Sequence, residues 1–215
     1  LRSINNLTLL FVLQGKHAGA VLLYREVLEV RRRTQGDEHP DTLGAINNLG
    51  QQLREEGKYA EAEPIIREAV EGFRLKLGDQ HPSTLLSINN LANLLGDQGK
   101  HDEAELLIRE AVEGFRLTLG DEHPSTLHSI VDLSARLWAQ GKSHDAELLL
   151  REALEVRRRM LGDEHPGTLS LIESLGGLLI EQGKYDDAVL LLREVLEIRR
   201  RTLGDEHSIS LVFYS

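Results

Sequence analysis

The sequence predicts an all-α solenoid of stacked antiparallel helix pairs, and three observations carry that prediction. Gly-Asp-Glu-His-Pro begins at Gly36 and returns every 42 residues: at Gly78 with Gln80 for the glutamate, at Gly120, at Gly162 and, with Ser208 for the proline, at Gly204. Gly-Lys keeps the same beat at Gly15, Gly57, Gly99, Gly141 and Gly183. Between the markers the apolar residues recur at helical spacing. A fixed period of this size marks a short unit that buries its apolar face only against its neighbours.

Each unit reads as two helices. From Pro40 to Glu56, Leu43, Ile46, Leu49 and Leu53 share one face with the small Gly50; from Lys58 to Leu77, Ala62, Ile66, Ala69, Val70 and Phe73 share another. Pro40 suits the first turn, where its missing N–H leaves nothing unsatisfied, and Gly36 suits a left-handed residue closing the previous helix. Glu56-Gly57-Lys58 leaves room only for a tight turn, so the helices fold back on each other. Thr8, Gly50, Ala92, Ser134 and Gly176 fall at one repeat position, and Ala20, Ala62, Ala104, Ala146 and Ala188 at another. Small residues there let two helices cross closely.

The order Leu49-Gly50, Leu53, Gly57, Tyr59, Ala62, Ile66 and Ala69 resembles the tetratricopeptide repeat. The longer period, with Gly-Asp-Glu-His-Pro and Ile-Asn-Asn-Leu, is similar to the kinesin light chain variety. That resemblance spans almost the whole chain and implies a right-handed superhelical array serving as a non-enzymatic interaction scaffold. The expected organisation is one array over 1–215: a partial repeat 1–35, full repeats 36–77, 78–119, 120–161 and 162–203, and an aborted copy 204–215. Leu1 aligns with Leu43, so the chain opens inside a leading helix whose Leu9, Phe11, Val12 and Leu13 form an apolar end. Unpaired faces at the two ends predict head-to-tail self-association.

Composition narrows the function. With no cysteine there is no disulfide or thiolate chemistry, and no apolar run reaches the roughly 18 residues of a membrane helix. A cytoplasmic protein without membrane contact is expected. His39, His81, His123, His165 and His207 follow acidic residues, yet each copy offers a single histidine, so they read as loop and helix-start residues; no metal, cofactor or catalytic residue is assigned. The arginine triplets at 31–33, 157–159 and 199–201 sit where helices end and complement the dipole. A formal net charge of −10 and the lack of interleaved aromatics argue against nucleic acid.

What remains is the face of the leading helices, which in such arrays lines a concave groove. The candidates for holding a peptide or protein segment are Asn47, Asn48, Gln51, Arg54, Leu86, Asn89, Asn90, Asn93, Val131 and Trp138. Carboxamides both donate and accept, which suits an extended peptide backbone, and tryptophan is a common anchor. The same asparagines equally suit ties between neighbouring helices, and Trp138 equally suits packing against the next leading helix. Two other classes fit: a regulatory arm of a larger enzyme or signalling protein, and a self-associating or designed structural array.

Overall fold

The computed structural model describes residues 17–203, which form helices joined by short turns. A trailing helix α1 (His17–Gln35) is followed by the pairs α2 (Pro40–Glu55) with α3 (Tyr59–Leu77), α4 (Pro82–Asp97) with α5 (His101–Leu119), α6 (Pro124–Ala139) with α7 (Ser143–Leu161), and α8 (Pro166–Glu181) with α9 (Tyr185–Leu203). No strand occurs among the described residues. The partial copy before His17 and the aborted copy from Gly204 lie outside them.

The two sequence markers are the two ends of the leading helix. Each of His39, His81, His123 and His165 is an N-cap whose Nδ1 accepts the N–H of Asp41, Ser83, Ser125 or Gly167, at 3.1 Å in every case. Proline follows at the first helical position, where no donor is missed. At the other end Lys58, Lys100, Lys142 and Lys184 donate their N–H to the carbonyls of Leu53, Leu95, Leu137 and Leu179, each at 2.9 Å. The preceding glycines donate to the residue three back, which completes a Schellman motif. That motif needs positive φ, and Gly57, Gly99, Gly141 and Gly183 have φ of 73, 78, 76 and 73°.

The loop-opening glycines behave differently from the left-handed residue expected at Gly36. Gly78 has φ 88° and ψ 164°, a positive φ with an extended ψ that glycine alone adopts readily, while its N–H still continues the helix to the Arg74 carbonyl. Asp79 and Gln80 then form a turn, closed by the His81 N–H donating to the Gly78 carbonyl at 3.4 Å, which delivers His81 to the next N-cap.

Contacts divide the chain into two compact units, Leu1–Gly120 and Asp121–Ser215. In the first, α2 packs on α1 and α3, and α4 on α3 and α5. Leu43, Ile46, Leu49 and Leu53 meet Ile66, Phe73, Leu85 and Ile88 in one apolar core. In the second, α7 packs on α6 and α8, and α8 on α9, burying Ile130, Leu137, Leu150, Ile172 and Leu179. The small positions are crossings, as expected. A Cβ on Gly50 would lie 2.3 Å from Ile66 Cγ1, one on Gly176 would lie 2.8 Å from Leu192 Cδ2, and Ala62, Ala104 and Ala146 are fully buried.

Candidate functional site

Polar bonds between successive repeats follow a fixed offset. On the leading helices of the first unit, Asn90 Nδ2 donates to Asn47 Oδ1 at 3.2 Å, 43 residues apart. Arg54 Nε donates to Asp97 Oδ2 at 2.6 Å, again 43 residues apart, with both side chains only 22% exposed. In the second unit Trp138 Nε1 donates to Glu181 at the same offset. Trp138 occupies the repeat position of Arg54, and Glu181 that of Asp97, so the indole replaces the guanidinium as donor to the next helix. Its ring also lies over Gly177, where an added Cβ would be 3.4 Å from Cη2.

The candidate residues therefore fall into two sets. Asn47, Asn89, Asn90 and Asn93 are buried, and the Asn47–Asn90 bond ties α2 to α4. Asn48 and Leu86 are exposed, Gln51 and Arg54 half-buried, and these form the solvent side of the same face. In the second unit Val131 and Trp138 are half-buried. Trp138 thus combines the packing expected of a structural residue with a partly open ring.

The trailing helices use other offsets. Arg25–Glu61, Arg32–Glu68, Arg67–Glu103 and Arg74–Glu110 join α1 to α3 and α3 to α5 at 36 residues, and Arg158–Glu194 joins α7 to α9. Lys100 reaches Glu63, and Lys184 reaches Glu147, at 37. The Lys100 ammonium, with help from Arg67, holds the Glu63 carboxyl down at about 2, against the upward push of burial. Burial also pushes Glu147 up, but Lys184 and Arg151 outweigh it and its carboxyl lies below its ordinary value. These ladders escaped the sequence reading. Their signal was present: writing one repeat above the next places an arginine beside a glutamate six positions short of the period.

The arginine triplets contribute to helix ends and to neighbours. Arg157, pushed below its ordinary value by burial, donates through Nη1 to the Gly167 carbonyl at 2.7 Å, and Arg31 donates to the Asp41 carbonyl. Among the described residues no group of three or more His, Asp or Glu side chains is placed to hold a metal, and no helix is long and apolar enough to cross a membrane.

Capped helix pairs, stacked on neighbours through residue pairs at constant offsets, define a helical-repeat protein. The tetratricopeptide repeat profile matches residues 1–74, 41–116, 86–159 and 137–201, and the chain belongs to that family. It is similar to the crystal structure of nearly identical TPR-like repeats from a kinesin light chain-like protein of Podosopora anserina, with TM-score 0.80, 29% identity, and 95% of this chain and 97% of that one covered. It also resembles BtubC (BKLC) from P. vanneervenii, with TM-score 0.80, 21% identity and coverages of 95% and 81%. A Rap protein crystallised with competence and sporulation factor shares the fold, with TM-score 0.75, 13% identity and coverages of 95% and 55%. No curated protein sequence matches the chain.

Proposed function

We propose that the chain is a non-enzymatic, cytoplasmic scaffold that holds a peptide or protein segment against the face of its leading helices. The observation that carries this reading is the division of labour on α2 and α4. Asn47–Asn90 and Arg54–Asp97 fix the two helices in register, and that leaves Asn48, Gln51 and Leu86 presented on a rigid surface with no internal task of their own. A pre-ordered surface binds with less loss of side-chain freedom, and carboxamides beside an aliphatic contact suit the backbone and one side chain of an extended segment. Tetratricopeptide repeats are protein-interaction scaffolds as a class, which agrees.

The test is a random-peptide display selection against the full chain, with Asn48→Arg and Leu86→Arg variants as counter-targets. Sequences enriched on the parent and lost on both variants support the assignment. Enrichment that survives both substitutions contradicts it. The head-to-tail association expected from the chain ends rests on residues outside 17–203.

A further inference from the structure

We infer that the trailing-helix side of the first unit is a second docking surface, for a partner segment that is basic and amphipathic. A groove of about 520 Å³ runs along α3, lined by Leu43, Pro64, Gly72 and Leu75, by the carboxylates of Asp37, Glu38, Glu68 and Glu71, and by one cation, Arg67, which is itself paired with Glu63 and Glu103. A Cβ on Gly72 would lie 2.3 Å from Leu43 Cδ2, so the leucine packs directly on the backbone of α3 at this point. Gly114 repeats the arrangement with Leu85 on α5, whereas the same position on α1, α7 and α9 is Val30, Val156 and Ile198.

Apolar side chains stand in the open on this side. Leu75 is 82% exposed, Leu117 77%, Leu106 71% and Leu22 69%. Leu75 and Pro64 line the groove, and Leu117 and Leu106 stand at their repeat positions on α5. The second unit supplies an internal comparison. At the position of Leu75 it carries Arg159, which closes on Glu122 at 2.6 Å. Leucine replaces that ion pair only in the first unit, on α3 and α5.

Charge selects the occupant. Positions 64, 68, 71 and 75 fall on one stripe of α3, so carboxylates lie between two apolar contacts. Glu68 is engaged by Arg32 at 2.6 Å, but Glu71 has no partner among the described residues, and neither do its counterparts Glu29 on α1 and Glu113 on α5. A row of free carboxylates across three bridged helices, in a chain of formal charge −10, attracts lysine or arginine and repels acidic segments and phosphate. The matching partner is a segment with basic residues on one stripe and aliphatic residues on both sides of it.

The probe is a fluorescein-labelled helical peptide of about 15 residues, made of lysine, leucine and alanine with the lysines on one stripe flanked by leucines. A scrambled peptide of the same composition is the control, and anisotropy is read with the full chain at about 0.15 M salt. The patterned peptide is expected to bind more tightly than the scramble. Glu71→Lys and Leu75→Arg should each weaken it about tenfold without lowering the melting temperature, since both side chains are exposed. Asn48→Ala, on the leading-helix face, should leave it unchanged, which separates this surface from the one proposed above. Equal binding of the scramble, parent-like binding by both trailing-face variants, or a loss with Asn48→Ala as large as theirs would overturn the inference.

Discussion

Arg54 and Asp97 meet across successive leading helices, Nε to Oδ2 at 2.6 Å, and the position of Arg54 is taken over in the second unit by Trp138, which reaches Glu181. One register is thus held by an ion pair in one place and by an indole in another. Because both Arg54 and Asp97 are mostly shielded, their coupling should exceed that of a surface pair. A double-mutant cycle with Arg54→Met and Asp97→Asn, followed by chemical denaturation, is expected to give about 1 kcal/mol or more of coupling energy. Additive effects of the two substitutions would show that the pair is incidental to the register.

Trp138 tests the same link by another route. Trp138→Phe retains a ring over Gly177 but has no N–H for Glu181, and should destabilise by about 1 kcal/mol. Trp138→Ala removes both and should cost about 2–3 kcal/mol, less than a fully buried tryptophan because the ring is half-open. Equal melting temperatures for parent and Trp138→Ala would return the residue to the role of a free anchor.

The crossings and the loop glycines separate space from conformation. Ala104→Leu overpacks a fully buried position and should cost about 1–3 kcal/mol. Gly120→Val has open space, yet its φ of 86° is hostile to a β-branched residue, so a loss of about 1–3 kcal/mol is expected there too. Gly44 is the contrast: it lies inside α2 with nothing within 4 Å of an added Cβ, and Gly44→Ala should stabilise by about 0.5–1 kcal/mol. Thermal melts of the three variants check the signs together.

The fold was legible in the sequence because repetition exposes it. Any one copy leaves alternatives open, but five copies aligned on Gly-Asp-Glu-His-Pro and Gly-Lys show which positions stay small, such as that of Ala62, and which stay apolar, such as that of Ile66. Both ends of each leading helix were visible in the same way, although the geometry of Gly78 was not, since composition indicates positive φ without giving ψ. The candidate surface was legible only in part. Asn47 and Asn48 are neighbours of identical chemistry, and helical phase puts one under the next repeat and the other in solvent. A phase error smaller than one residue decides between those outcomes, and spacing alone does not carry that precision.

Acid sensitivity should be traceable to the Lys100–Glu63 contact. The folded-state carboxyl of Glu63 lies at about 2, below its ordinary 4.5. The folded form therefore binds its proton less readily, and the stabilisation is present above about 4.5 and is lost as pH falls toward 2. Lys100→Met should remove the largest single contribution to this stabilisation and reduce the decline of melting temperature between those pH values, with Arg67 retaining part of it. An unchanged pH profile would show that the contact does not contribute.

The N-cap histidines give a substitution test with a built-in rescue. His123→Ala removes the acceptor for the Ser125 N–H and should cost about 1 kcal/mol, while His123→Asn supplies another acceptor and should recover most of it. If both variants melt alike, the imidazole is not acting as a cap.

The scaffold assignment is tested most directly by calorimetric titration of a display-selected peptide into the parent chain and into the Asn48→Ala/Leu86→Ser double variant. The account predicts a measurable dissociation constant for the parent and at least about a tenfold weaker one for the variant, with the melting temperatures of the two proteins within a few degrees. Identical affinities for both proteins would contradict it.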